Sequence, residues 1–418
     1  MTMKAAWILR VSRWLRPAAL IPLGTLVGGA GLAQTSGKLA LYAAVGAELR
    51  HYDVDLKNAT LAQRDSVTLP DSVQYAWPHP SRQYLYVAWS NGSGRDHHGV
   101  TGFRIDSTSG ALHPNGNPVL LMARPIHAST DIDGTHLLVA YNDPSGVTVH
   151  QIEDDGTIGA QVKSPNRLET GIYAHQVRVD PSDKTVILVT RGNGPTSSKP
   201  EDPGALMVFG YQNGVLTNRA SIAPRGGFGF QPRHLDFHPS RPWVFVSLER
   251  QNKLQVYEKL NDGTLSKEPL FVKDSLAEPH TVRPGQAAGT VHVHPNGRFV
   301  YQANRASGAT GEILSARGEN SIAVYAINQQ TGEPTLIQNI DTRGMTPRTF
   351  ALDDGGRILV AANQNSFRLR EGGRVTTVAA NLAVFRIRDD GELEFVRKYD
   401  VETAGARTLF WMGLVPLP

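Results

Sequence analysis

The sequence predicts an all-β fold, a seven-bladed β-propeller of four-stranded antiparallel blades, and three observations carry that expectation. A two-strand hairpin unit recurs six times, at intervals close to the length of a propeller blade. A further strand, alternating apolar with polar residues, follows each hairpin. The beginning of the chain supplies a second strand without a first, and the end supplies a strand left over after the sixth hairpin.

The hairpin is clearest at Gln231 to Arg250, QPRHLDFHPSRPWVFVSLER. PRHLDF has the β-rich character of one strand, HPSR carries the Pro and polar residues of a tight turn, and PWVFVSL is an apolar second strand. Equivalent turns fall at His79, Asp131, Asp180, His294 and Asp353, beside His238 here. These six anchors are separated by 52, 49, 58, 56 and 59 residues. Such units bury their faces only against one another, so they imply one ring rather than the two or three domains the length suggests.

Residues 1–33 come first: a basic stretch (Lys4, Arg10, Arg13, Arg16), the run PAALIPLGTLVGGAGLA, and a small-residue ending before Gln34. That order reads as a secretory signal, with residues 34–418 as a single propeller domain in the periplasm or secreted. Pro17, Pro22 and four glycines in the run disfavour a stable membrane-spanning helix. LALYAAV (Leu39 to Val45) then resembles the second strand of a hairpin whose first strand is missing, and GARTLFWMGLVP at the C-terminus is predicted to return, pair with it and close the ring. Six anchored blades and this shared one make seven.

The strands that follow the hairpins are RHYDVDL, VTGFRID, VTVHQIE, ALMVFGY, LQVYEKL, IAVYAIN and LAVFRIR, again seven. Most end in a Gly turn, at Gly110, Gly156, Gly214, Gly263, Gly332 and Gly391. A fourth strand such as TLIQNI completes each sheet, and no long amphipathic helix is apparent. Long loops at Gly192 to Gly204, Ala306 to Asn320 and Asn365 to Ala379 leave the same end of their blades and crowd one rim, where sites are commonly built.

The basic balance of the whole chain is a property of its beginning. Setting aside the four cations of residues 1–33 leaves 38 basic residues against 38 acidic ones, which gives no argument for nucleic acid as a partner. The absence of Cys excludes a disulfide framework, a thiol catalyst and a lipoprotein anchor. No motif calls for a cofactor. His292 and His294 are two apart on a strand, but His294 is an anchor, so no metal site is predicted. The anchor histidines read as turn caps, and His97 and His98 as solvated loop residues.

Counted from the anchor, positions −5 and −4 begin the inner strand and position +11 ends the next. In an antiparallel hairpin these lie side by side, so both sets face one mouth of the propeller. Position +11 reads Ser90, Asn142, Arg191, Glu249, Arg305 and Gln364. Positions −5 and −4 include His175 with Gln176, Arg233 with His234, Gly289 with Thr290, and Arg348 with Thr349. Arginines offer permanently charged forks for a carboxylate or phosphate. His175 suits proton transfer near neutral pH. Glu249 is expected to be ionised between arginines, which weakens it as a base.

The segments YAHQVRVDPSDK, FQPRHLDFHPSRPWVFVSLE, VHVHPNGRFVYQANR and TPRTFALDDGGRILVAANQ resemble the seven-bladed propeller lactonase family, which includes bacterial 6-phosphogluconolactonases and fungal 3-carboxy-cis,cis-muconate cyclases. The resemblance covers nearly all of the mature chain. It implies a lactone-handling site in which His175, Arg233, Glu249 and Arg305 match the family's catalytic His, Arg, Glu and Arg, with His234, His292 and Arg348 at further motif positions. Thr290 and Thr349 depart from the pattern, where family members often carry an acidic residue and a His.

The expected function is therefore hydrolysis of an anionic lactone, or the reverse cyclisation. Arg233 and Arg305 would bind the anion and stabilise the oxyanion, His175 would move the proton, and Glu249 would assist or orient. Arg191 and Gln364 join His234, His292 and Arg348 as candidate substrate contacts. The rival expectation is a non-catalytic exported propeller that binds a protein or glycan through its loop-rich rim, for which those four residues need not converge.

Overall fold

The computed structural model describes residues 37–308, 313–314, 317–403, 405 and 407–418. The segment read as a secretory signal lies outside them. Among the described residues there is no α-helix, only one short 3₁₀ turn at Pro224–Gly227, and no helix long and apolar enough to cross a membrane.

Seven antiparallel sheets form the blades. Blade 1 joins the two ends of the chain: Leu409–Pro416 is its innermost strand and pairs with Leu39–Val45, followed outward by Glu48–Asp55 and Thr60–Thr68. The inner strands of blades 2 to 7 are Ser72–Pro78, Pro125–Thr130, Ala174–Val179, Pro232–Phe237, Gln286–Val293 and Pro347–Leu352. Each touches the next, and Leu409–Pro416 touches both the last and the first, so the seven close a circle.

The second strands are almost wholly buried, because both of their faces meet a neighbouring blade; LALYAAV and WVFVSL are buried at every position. Seven apolar clusters fill the gaps between successive blades among the described residues. Phe299 and Tyr301 of blade 6, for example, pack with Phe350 and Leu359 of blade 7. One core per interface, rather than one central core, is what a ring of sheets must build.

The turns lash the blades together. In the anchor turns of His79, His238 and His294 the Nδ1 atom accepts backbone N–H groups of its own turn, at 3.0–3.2 Å. The Nε2–H donates to the carbonyl of Gly134, Gly297 or Gly356 in the next blade, at 2.8–3.0 Å. Both contacts require the neutral Nε2–H tautomer. The expected turn cap is thus also an interblade tie.

Two expectations are corrected. The long loops of blades 6 and 7 are not featureless: Ile313–Leu314, Phe367–Glu371 and Arg374–Val378 form a three-stranded sheet over a small cluster of Leu314, Met345, Phe367 and Leu369. Alternating Phe367 and Leu369 mark one strand of this hairpin, and Gly372-Gly373, both at positive φ, make its turn. His98 is buried rather than solvated; it opens the strand His98–Ile105, with Nδ1 2.8 Å from Ser90 Oγ and Nε2 2.8 Å from Arg95 O.

Candidate active site

Strand alternation would send positions −5 and −4 to opposite faces. The structure resolves this with a β-bulge. In blade 4 the pairing runs Ala174↔Thr190 and then Gln176↔Val189, leaving His175 as the extra residue. The same shift leaves Gln74, Arg233, Arg348 and Phe410 as extra residues in blades 2, 5, 7 and 1, Ile126 in blade 3, and the pair Gly289 and Thr290 opposite one residue in blade 6. Bulges of this kind re-aim side chains next to sites. Here the bulges let His175, Arg233 and Arg348, at position −5, reach the mouth beside His234 at position −4, whereas Ile126 packs into the core between blades 3 and 4.

Around that mouth Glu249 is the hub. Arg305 Nη2 donates to Glu249 Oε1 at 2.7 Å, Arg191 Nη1 donates to Oε2 at 3.3 Å, and Arg233 Nε stands 3.9 Å from Oε2. Burial alone would raise the Glu249 carboxyl, but Arg305, Arg233 and Arg191 outweigh it and hold it down to about 2. Arg191 also lies 4.2 Å from the centre of the Tyr173 ring, and Arg348 4.0 Å from that of Phe410. Three guanidinium groups thus converge on one carboxylate, and Arg348 is a fourth cation at the mouth that makes no ion pair with it.

Arg233 is 1% exposed, and its Nε and Nη1 are buried without hydrogen-bond partners. Unspent donors on a buried cation are costly unless something accepts them. His175 is 6% exposed, with its ring centre 5.2 Å from that of His234. Burial first, then the charges of Arg233, His234, Arg348 and Arg191, hold its imidazole well below the usual value. It is a neutral base beside guanidinium groups, so it can take a proton from water while they receive negative charge.

A second layer lies two residues deeper along the inner strands. Asp236 pairs with Arg178 at 3.3 Å and faces His292 Nδ1 at 3.5 Å. Arg178 lies 4.9 Å from the Trp77 ring. Above that layer, at position −4, the His127 ring of blade 3 lies 6.0 Å from that of His234 in blade 5 and 4.0 Å from that of Tyr75 in blade 2, centre to centre. Both His127 nitrogens are buried without a partner.

The structure therefore brings together His175, Arg191, Arg233, His234, Glu249, Arg305 and Arg348. His292 sits in the deeper layer, held by Asp236. Gln364 turns aside, its Nε2 3.5 Å from Thr408 Oγ1 ahead of the closing strand. Thr290 Oγ1 donates to the Arg348 carbonyl at 3.0 Å, and Thr349 Oγ1 is buried without a partner. Sequence reasoning passed over Arg178, Asp236 and Phe410, and placed His127 at position −4 without giving it a role. Arg178, Asp236 and His292 share position −2, so reading that column would have found them. A cleft of about 760 Å³ opens at the anchor-turn end, between blades 4 and 5, and contains none of the candidate residues.

A propeller of this kind, with its charged residues gathered at one mouth, defines a class. The family model described as lactonase, seven-bladed β-propeller, matches residues 38–371, and the chain belongs to that family. The chain is 26% identical over 363 residues to a 6-phosphogluconolactonase of Bacillus subtilis, covering 83% of this chain and 95% of the relative. It is 29% identical over 311 residues to one from Pectobacterium carotovorum, covering 74% and 82%. Among solved structures, the periplasmic gluconolactonase of Pseudomonas aeruginosa superposes with a TM-score of 0.66 at 20% identity, covering 91% of this chain and all of that one. A Lactobacillus plantarum protein gives 0.69 at 20% identity, covering 91% and 99%.

Proposed function

We propose that the protein is an exported lactonase that hydrolyses an anionic lactone at the charged mouth. The observation that carries this reading is the convergence of His175, Arg233, Glu249 and Arg305, which a rim-binding propeller does not require. Lactonase relatives along most of the chain support the reaction type, and the composition of residues 1–33 supports export.

His175 accepts a proton from water as its oxygen attacks the lactone carbonyl carbon. Arg233, with its unspent donors, receives the developing oxyanion, and Arg305, shared with Glu249, stands beside it. When the ring C–O bond breaks, the imidazolium returns the proton to the leaving oxygen, giving the hydroxy acid. Glu249 stays ionised and orients the guanidinium groups. By microscopic reversibility the same groups serve the reverse cyclisation.

The test is a panel of sugar, phosphosugar and muconate-derived lactones incubated with the purified mature chain, with released acid titrated at constant pH. Turnover of an anionic member well above the buffer rate is expected. Binding of a glycan or protein at the rim, with every lactone opening at the buffer rate, would favour the non-catalytic reading.

A further inference from the structure

We propose that the arc of the mouth formed by blades 7, 1, 2 and 3 is a second anion subsite, centred on Arg348 and Arg124, which receives the permanent charge of the substrate. The inference rests on the lactonase reading and adds to it where the substrate's charged group goes.

The arginines at the mouth are not equivalent. Arg191 and Arg305 spend donors on Glu249, and Arg233 faces the same carboxylate from 3.9 Å. Arg348 has no acidic partner among the described residues. Its guanidinium lies on the Phe410 ring, and its backbone carbonyl is tied down by Thr290 Oγ1. Arg124 likewise has no acidic partner among the described residues. Its Nε donates to Gln74 Oε1 at 2.8 Å and its Nη1 to Ser93 Oγ at 3.1 Å, which fixes the fork and leaves Nη2 uncommitted.

The bulges place these groups together. Arg348, Phe410 and Gln74 are the bulge residues of three successive blades, and Gln74 holds Arg124 from the blade beyond. The charges of Arg348 and Arg124 oppose each other, and Glu249, which also bears on Arg348, makes no ion pair with it; an anion held between the two forks would relieve that repulsion, and the planar forks match phosphate or carboxylate oxygens. Burial and Arg305 bring Arg348 down to about 9 against the opposing charge of Glu249, and Arg124 adds to the lowering. His175 and Arg233 stand on blades 4 and 5, on the other side of the ring. A substrate whose carbonyl lies there and whose charged group lies here would span the mouth.

The experiment compares gluconolactone with its 6-phosphate on the wild type, Arg348→Gln, Arg124→Gln and Arg348→Lys. Each Gln variant is expected to lower the preference for the phosphorylated lactone, read as the ratio of the two kcat/KM values, by about 10- to 100-fold, the worth of a charge-assisted hydrogen bond. Arg348→Lys, which keeps a cation over Phe410, should recover part of that loss. Calorimetric titration with inorganic phosphate supplies a readout independent of turnover: binding by the wild type should be lost in both Gln variants. An unchanged preference, or unchanged phosphate affinity, overturns the subsite. If the wild type opens neither lactone yet phosphate binding depends on Arg348 and Arg124, the subsite stands and the lactonase reading fails.

Discussion

At the scale of single residues, the site works by giving chemically similar groups different surroundings. Glu249 lies between three guanidinium groups and stays ionised, whereas His175, buried near the same cations, stays neutral. Replacing Glu249 with Gln would leave Arg191, Arg233 and Arg305 facing one another without a counter-charge. Removing one partner of a buried pair costs about 3 to 5 kcal/mol, so urea unfolding of Glu249→Gln should show a loss of that order; a loss under about 1 kcal/mol would mean that the carboxylate is not the hub described. These residues were legible because each repeat offers the same numbered positions. His292 and Gln364 were legible only as types: the column does not say that Asp236 holds one, or that Thr408 draws the other aside.

At the scale of elements, the Gly turns between third and fourth strands do more than reverse the chain. Gly156, Gly214, Gly332 and Gly391 have φ near +80°, and a Cβ on them would lie 2.3–2.6 Å from Tyr84, His136, Trp243 and Phe299 of the preceding blade. Each of those neighbours stands five residues after its anchor, so every such blade presses an aromatic or imidazole ring onto the next blade's turn. Gly391→Ala combines a left-handed backbone penalty of about 1–2 kcal/mol with overpacking of about 1–3. It should destabilise the protein by about 2 to 4 kcal/mol in equilibrium unfolding, and a neutral effect would contradict this packing. The turns themselves were readable from sequence, since Gly after an alternating strand is a local signal. The bulges were not, because an extra residue shows only against its pairing partner. The small sheet over blades 6 and 7 was hidden for a similar reason: its Gly and Arg content reads as loop, while its apolar residues pack on Met345, distant in sequence.

At the scale of the whole molecule, seven interblade cores and one strand pair between the chain ends make the ring a single cooperative object. The seven-fold count was legible because anchors and third strands repeat independently. The closure was legible because Leu39–Val45 lacked an inner strand before it and Leu409–Pro416 arrived after the last anchored blade. Acid should weaken the assembly in two stages. His127, His175, His234 and His238 are all held below the usual imidazole value, with burial the largest cause. The unfolded chain therefore binds more protons, and their contribution, complete above about pH 6.5, is lost as pH falls below it. Glu249, held down to about 2, keeps its contribution until pH drops below about 4.3. Calorimetry should find a lower melting temperature at pH 5 than at pH 7.5, and a further decline below pH 4; a melting temperature independent of pH between 7.5 and 5 would be inconsistent with buried neutral imidazoles. The account as a whole turns on whether the mouth opens lactones through His175. The most direct measurement is the rate of acid release from an anionic lactone by the wild type and by His175→Ala, with melting curves recorded on both. The account predicts turnover that falls by about a hundredfold to ten-thousandfold in the variant while the fold is retained; equal rates from a folded variant would contradict it.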